Sequence, residues 1–190
     1  MGVVSQLNST FAEQDPAYAG MLADLKDSQV DSYVSGEASA EIAFGWGVVK
    51  GADPTGGFQG TGAAGNNPTC KIPSGGGDFP VGIALHSHAY QQNADIGATG
   101  IKPTKMVAVL RKGRAWVFIE DTVTKGSALF LRYTANGAGK TPGQFRSDAD
   151  TAKALKVRGI SAALDFTGPG VCPVDVDMDA FNAVNGLTDP

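Results

Sequence analysis

The sequence predicts an all-β protein, a jelly-roll-like β-sandwich or Greek-key barrel with an extended N-terminal arm. Three observations favour this class. The chain of 190 residues holds 26 glycines, and its charged fraction of 18% lies below the ~25% of average globular proteins. About seven to nine short apolar stretches follow one another, with turn residues about every 8–12 positions. They do not alternate with helical patterns, which excludes a fold built from strand–helix–strand units.

Residues 1–40 are predicted to form a docking arm. Their apolar side chains are scattered among Ser, Asp and Gln without sustained strand alternation. Because such a segment builds no core alone, we expect it to become ordered by docking on another surface. The candidate partner-binding residues of the arm are Phe11, Tyr18, Met21, Leu22, Leu25 and Tyr33.

Residues 41–179 are predicted to form the β-sandwich or barrel domain. The β structure begins at AEIAFGWGVVKG (40–51), where apolar side chains recur at every second position and indicate one strand. Those side chains are Ile42, Phe44, Trp46 and Val48. A loop rich in Gly and Pro follows at residues 51–68.

Two stretches in the middle of the domain, KMVAVLRKG and RAWVFIE, are predicted to form a β-hairpin. They meet at Lys112 and Gly113, a pair of residues that suits a tight turn. The other predicted strands are CKIP (70–73), FPVGIALHSHAY (79–90), SALFLRYT (127–134), KALKVRGISAALDF (153–166) and GVCPVDVDM (170–178). Residues 180–190 are predicted to be a C-terminal tail.

Charge and hydropathy limit the partners. The formal net charge is −4, and the basic residues do not gather on a stripe, which argues against nucleic acid as a partner. The sequence holds no signal-peptide pattern and no apolar run near the roughly 18 residues of a membrane span. We therefore expect synthesis in a cytoplasm and no membrane partner.

The two cysteines are far apart in the sequence. Cys70 and Cys172 fit neither a disulfide framework nor a Cys-x-x-Cys metal site. Two buried thiols are the favoured prediction, and a single disulfide bridge is the alternative.

The two histidines raise the question of a metal site. His86 and His88 lie on one face of a predicted strand and could offer two nitrogens to Zn²⁺ or Fe²⁺. The alternative function is therefore a cupin-like metal-binding enzyme. Such a site needs a nearby Glu and a further His, but QQN stands at 91–93 and only Asp95 is a nearby carboxylate. The pattern favours a half-exposed strand end, with no metal, cofactor or catalytic residues.

Acidic residues recur in two places. Asp175, Asp177 and Asp179 share one face of an alternating stretch, an arrangement that can hold Ca²⁺. Glu120 and Asp121 follow an apolar strand. For both groups the favoured interpretation is a set of solvated carboxylates, and we expect a binding or structural protein rather than an enzyme.

The order of several motifs resembles the structural cement, or head decoration, proteins of tailed bacteriophages. The resemblance covers about residues 16–160, and its strongest part is VAVLRKGRAWV. The motifs are PAYAGMLAD, EIAFGWGVVKG (41–51), CKIP (70–73), GIALHSHAY (82–90), KMVAVLRKGRAWVFIED (105–121) and GSALFLRY (126–133).

This resemblance implies a structural virion protein on the outer surface of the capsid. Proteins of this kind bind between major capsid subunits and stabilise the head against the pressure of packaged DNA. The expected partners are the major capsid protein and further copies of the same chain, as a homodimer or homotrimer. The expected fold is a jelly-roll-like or barrel domain with an N-terminal arm.

Overall fold

The computed structural model describes residues 17–52, 68–86, 97 and 99–179. Over these residues the chain is all-β, which confirms the predicted class. This part of the chain contains no helix with the length and hydrophobicity that a membrane crossing requires. The strands are β1 (Leu22–Ser35), β2 (Ile42–Ala43), β3 (Gly47–Lys50), β4 (Thr69–Lys71), β5 (Pro80–Ala84), β6 (Gly100–Ile101), β7 (Met106–Ile119), β8 (Ala128–Arg132), β9 (Phe145–Arg146), β10 (Ala154–Ala162) and β11 (Gly170–Asp177).

The strand pairings close two rings that share β7. The first ring runs β1–β4–β3–β5–β7 and returns to β1. The second ring runs β7–β11–β10–β8–β9 and closes where Ile119 of β7 pairs with Phe145 of β9. β2 and β6 form a separate two-stranded sheet. The predicted sandwich or barrel is therefore a pair of small barrels joined through one long strand.

β7 is one continuous strand of 14 residues, so the predicted hairpin is wrong. At the predicted turn, Lys112 pairs with Gln29 of β1 and with Asp177 of β11, and Gly113 pairs with Val176. Because both edges of the strand keep partners at this point, the chain runs straight through. Gly113 has a φ of 125°, a conformation that a residue without a side chain adopts readily.

β1 lies inside the predicted arm and pairs with β7 at eight positions. Tyr33 and Val34 are buried. The expectation that this segment builds no core and becomes ordered by docking on another surface was wrong for β1, which pairs with β7 of the same chain. Its register shifts twice between Leu22 and Gln29, and such irregularities hide the alternation of apolar residues. The division into 1–40, 41–179 and 180–190 stays a prediction, because residues 1–16 and 180–190 lie outside the described ranges.

The stretch predicted as one strand, AEIAFGWGVVKG (40–51), contains two strands separated by a turn. Trp46 N–H donates to Ala43 C=O at 3.3 Å, and Gly45 has a φ of 77°. The glycine permits the reversal, so β2 and β3 belong to different sheets. Ile42 and Val48 still pack in the same apolar cluster.

Each ring encloses its own apolar core. The first-ring core consists of Tyr33, Ile42, Val48, Cys70, Val81, Ala84, Ile101, Val107 and Val109. The second-ring core is larger and includes Leu110, Val117, Ile119, Leu129, Leu131, Phe145, Val157, Ile160, Cys172 and Val174. Three side chains that the first ring contributes pack in the second-ring core: Val49 of β3, Ile83 of β5 and Leu85, which follows β5. The two rings therefore pack against each other as one body.

Candidate functional site

The root of the arm, residues 17–21, is fixed to the body by the backbone of Gly20 and by Met21 C=O, which accepts from Trp116 N–H at 2.9 Å. Gly20 N–H donates to Trp116 C=O at 2.7 Å, and Gly20 C=O accepts from His86 N–H at 2.8 Å. Met21 N–H donates to Tyr18 C=O at 3.1 Å and closes a turn. The arm root is thus hydrogen-bonded both to β7 and to the end of β5.

Two glycines allow this turn to approach the β2–β3 turn closely. Gly20 has a φ of 86° and Gly45 a φ of 77°. A Cβ atom on Gly20 would lie 2.7 Å from the Cβ of Phe44, and a Cβ atom on Gly45 would lie 2.7 Å from the backbone N of Gly20. Any side chain at either position would separate the two turns.

The ring of His86 packs between two aromatic side chains at the arm root. Its centroid lies 5.5 Å from that of Tyr18 and 4.8 Å from that of Phe44, both in edge-on geometry. His88 and Asp95 lie outside the described residues, so the cupin-like pairing stays a hypothesis. Within the described ranges, no three His, Cys, Asp or Glu side chains gather into a group suited to a metal ion.

The four predicted docking side chains that the structure describes differ in exposure. Tyr18 is 48% exposed, Met21 and Leu22 are half-buried, and Tyr33 lies in the first-ring core. Phe11 lies outside the described residues, as does the side chain of Leu25. Their role in partner binding stays a prediction.

A second exposed apolar surface lies on the β1–β7 pair. Val30 and Met106 are 43% and 42% exposed. Val34 lies opposite Met106 and Val30 lies opposite Leu110. Because residues two or four apart on a strand share a face, Val30 and Met106 lie on the same face of the two strands.

A buried ion cluster closes the second ring, and sequence reasoning missed it. Arg132 donates from Nε to Oε1 of Glu120 at 2.5 Å and from Nη2 to Oε2 at 2.6 Å. Arg146 Nη1 donates to Oε2 of Glu120 at 3.2 Å. The side chains of Arg132 and Glu120 are 0% and 1% exposed. The interpretation of Glu120 as a solvated carboxylate was therefore wrong.

Asp150 extends this cluster into the loop before β10. Its Oδ2 accepts from Arg132 Nη2 at 2.7 Å and from Asn136 Nδ2 at 2.9 Å. These bonds to Arg132 and Asn136, with the nearby charge of Arg146, lower the pKa of Asp150 to about 2. Asp150, Thr151 and Ala152 have φ values of 43°, 54° and 61°, which are costly for residues with side chains. The ion cluster thus holds a strained turn in place.

The acidic residues at the end of β11 have arginine partners. Asp175 Oδ1 accepts from Arg114 Nε at 2.7 Å. Asp179 Oδ1 lies 3.4 Å from Nη2 of Arg111, whose Nη1 lies 3.4 Å from Asp31 Oδ2. These contacts tie β1, β7 and β11 together through opposite charges.

Cys70 and Cys172 are free and buried, which confirms the favoured prediction for the cysteines. Burial raises the pKa of the Cys70 thiol to about 12, with a further contribution from the charge of Glu37. Burial raises the pKa of Cys172 to about 11. Because the thiolate is the reactive form, both groups act as core side chains.

A solved structure shares the fold. The chain is similar to a chain from the capsid of the Myoviridae phage XM1, with 16% identity and a TM-score of 0.59 over 87% of this chain and 92% of that one. No curated protein matches the chain. The model of one protein family, described as structural cement protein (E217 gp24/Pam3 gp6), matches residues 7–175. The match spans most of the sequence, including β1 and all of β7, and the chain therefore belongs to this family of phage structural cement proteins.

Proposed function

We propose that the protein binds the outside of an assembled phage capsid, between neighbouring major capsid subunits, and stabilises the head there. The family match over residues 7–175 carries this proposal. It supports a structural role in stabilising the capsid, as part of the virion. Synthesis in the host cytoplasm is part of the proposal. The position between subunits, the outer location and the association with further copies of this chain are the proposed details.

The arm root supports a docking function for the residues that precede it. Gly20 fixes residues 17–21 to β7 and β5, and Tyr18 is 48% exposed directly beside this anchor. A binding segment joined to a fixed point loses less freedom on docking than one on a long linker. Residues 1–21, including Phe11, Tyr18 and Met21, are therefore the proposed capsid-binding arm. Because β1 pairs with β7, we limit the proposed arm to residues 1–21, whereas the sequence-based prediction was residues 1–40.

Binding to several subunits at once gives a stable attachment without a large individual interface. Contacts from the arm and from the body raise the effective concentration of each for its own site. Such a protein links neighbouring subunits mechanically and needs no catalytic group. His86 packs between Tyr18 and Phe44, and this position does not support the alternative of a cupin-like enzyme.

The experiment compares binding to expanded heads that lack the cement protein. The variants are the full chain, a deletion of residues 1–16, and a control deletion of 180–190 of comparable length. The first deletion stops before residue 17 and leaves Gly20 and β1 intact. We expect loss of co-sedimentation with heads for this variant alone, at an unchanged melting temperature. Equal binding by the two truncated proteins would contradict the docking role, and no binding by the full chain would contradict the proposed function.

A further inference from the structure

The two edges of β1 differ. One edge pairs with β7 at eight positions between Leu22 and Val34. The other edge pairs with β4, and only at Val34 and Ser35. Among the strands of the described ranges, none pairs with this second edge at residues 29–32. Alternate residues of a strand direct their N–H and C=O groups to each edge, so this stretch presents backbone donors and acceptors outward.

The first half of the open edge, from Leu22 to Gln29, is irregular, and the second half, from Val30 to Val34, is regular. Between Leu22 and Val30 the register with β7 shifts three times, the last time between Gln29 and Val30, and Asp27 has a φ of 58°. Bulges and charged residues of this kind prevent one strand edge from pairing with another. From Val30 to Val34 the register with β7 is regular. The regular half also carries the exposed side chain of Val30, which lies on the same face as exposed Met106, four positions away along the strand pair.

We propose that residues 29–31 of β1 pair antiparallel with the same residues of a second copy of this chain, about a two-fold axis at Val30. A strand edge is its own complement under a two-fold rotation, since it offers both donors and acceptors. The proposal deepens the proposed function, because it names the surface through which copies associate, and it rests on that function for its setting on the head.

The side chains along this edge match in that register. Val30 lies opposite Val30 of the partner, and Gln29 lies opposite Asp31 of the partner, where its amide can donate to the carboxylate. An axis at Asp31 would instead place two carboxylates opposite each other, which destabilises a strand pair. The apolar face of the dimer then runs from Met106 past Val30 to Val30 and Met106 of the partner. The irregular half of β1 cannot pair, so the contact is limited to a few residues. We therefore expect weak association in solution, which strengthens when copies are held close together on a shell.

The test uses the full chain with Val30→Cys under mild oxidation. Directly opposite side chains of an antiparallel pair have Cβ atoms ~5 Å apart, near the spacing that a disulfide bridges. The matched control is Leu164→Cys, since Leu164 is 39% exposed and lies away from β1. Cys70 and Cys172 are buried and do not interfere. We expect a disulfide-linked dimer with Val30→Cys, both in concentrated solution and on heads, and severalfold less with Leu164→Cys.

Equal cross-linking of the two variants, or no dimer with Val30→Cys, would overturn the inference. A third variant, Val30→Lys, places a charge at the proposed axis, and we expect it to abolish self-association at an unchanged melting temperature. Head binding by the wild-type chain is measured in parallel. A chain that binds heads but does not cross-link through Val30→Cys refutes the dimer alone, and a chain that cross-links but binds no heads refutes the cement function alone.

Discussion

Arg132 and Glu120 form a two-bond ion pair inside the second ring, with side chains that are 0% and 1% exposed. Glu120 directly follows β7, and Arg132 ends β8. Glu120 N–H also donates to Phe145 C=O at 2.9 Å. The pair therefore joins three strands at the point where the ring closes.

Removing the charge of Glu120 leaves two arginines without their central carboxylate. We expect Glu120→Gln to lower the free energy of unfolding by about 3–5 kcal/mol, measured by urea denaturation. The control is Asp175→Asn, which removes the exposed partner of Arg114 and should cost about 0–1 kcal/mol. Similar losses for the two variants would show that burial does not govern the strength of these pairs.

The ionised form of Asp150 stabilises the fold above its ordinary pKa of 3.8, because its folded pKa is lowered to about 2. This contribution is present at neutral pH and is lost as the pH falls through the folded value. We expect Asp150→Asn to have a lower melting temperature than wild type at neutral pH and a difference that narrows as the pH approaches 2. A difference independent of pH would be inconsistent with the ionic role of Asp150.

Gly82 in β5 has no room for a side chain. Its φ is 150°, and an added Cβ would collide with the backbone oxygen of Leu110. We expect Gly82→Ala to destabilise the protein by on the order of 3 kcal/mol, from backbone strain and overpacking together. At Gly75 an added Cβ meets nothing within 4 Å, so Gly75→Ala is the control. Thermal melting of both variants checks the prediction, and an unchanged melting temperature for Gly82→Ala would refute it.

Cys70 and Cys172 should resist alkylation in the folded protein, because burial raises the pKa of each thiol to about 12 and about 11. We expect no reaction with a thiol reagent under native conditions and two reactive thiols in denaturant without a reductant. Reaction at neutral pH without unfolding would mean that the rings open readily around these residues.

The sequence predicts most strands of the second ring, because β8, β10 and β11 are apolar runs bounded by turn residues. It fails at Lys112 and Gly113, where local residues favour a turn. There the pairing with Gln29 and Asp177, distant in the sequence, decides the conformation. β1 is missed because its register shifts interrupt the alternation on which strand prediction depends.

The ion cluster was also beyond local reasoning. Glu120, Arg132, Arg146 and Asp150 lie in four different segments, and each alone resembles an ordinary surface charge. One signal was present: Arg132 stands inside the apolar run LFLRY. A charged residue within such a run is rarely buried unless it is paired. The position of Arg132 therefore predicts a buried acidic partner. The position of the arm root depends on the close approach of Gly20 to Gly45. These residues are distant in the sequence, and only the folded chain shows their contact.

Because both rings contain β7, this strand determines how the protein unfolds under mechanical force and on heating. Withdrawal of β7 removes a wall from both barrels at once, because each ring contains this strand. Unfolding should therefore be a single all-or-none event in a calorimeter. Tension applied at one barrel passes to the other along the main chain of β7.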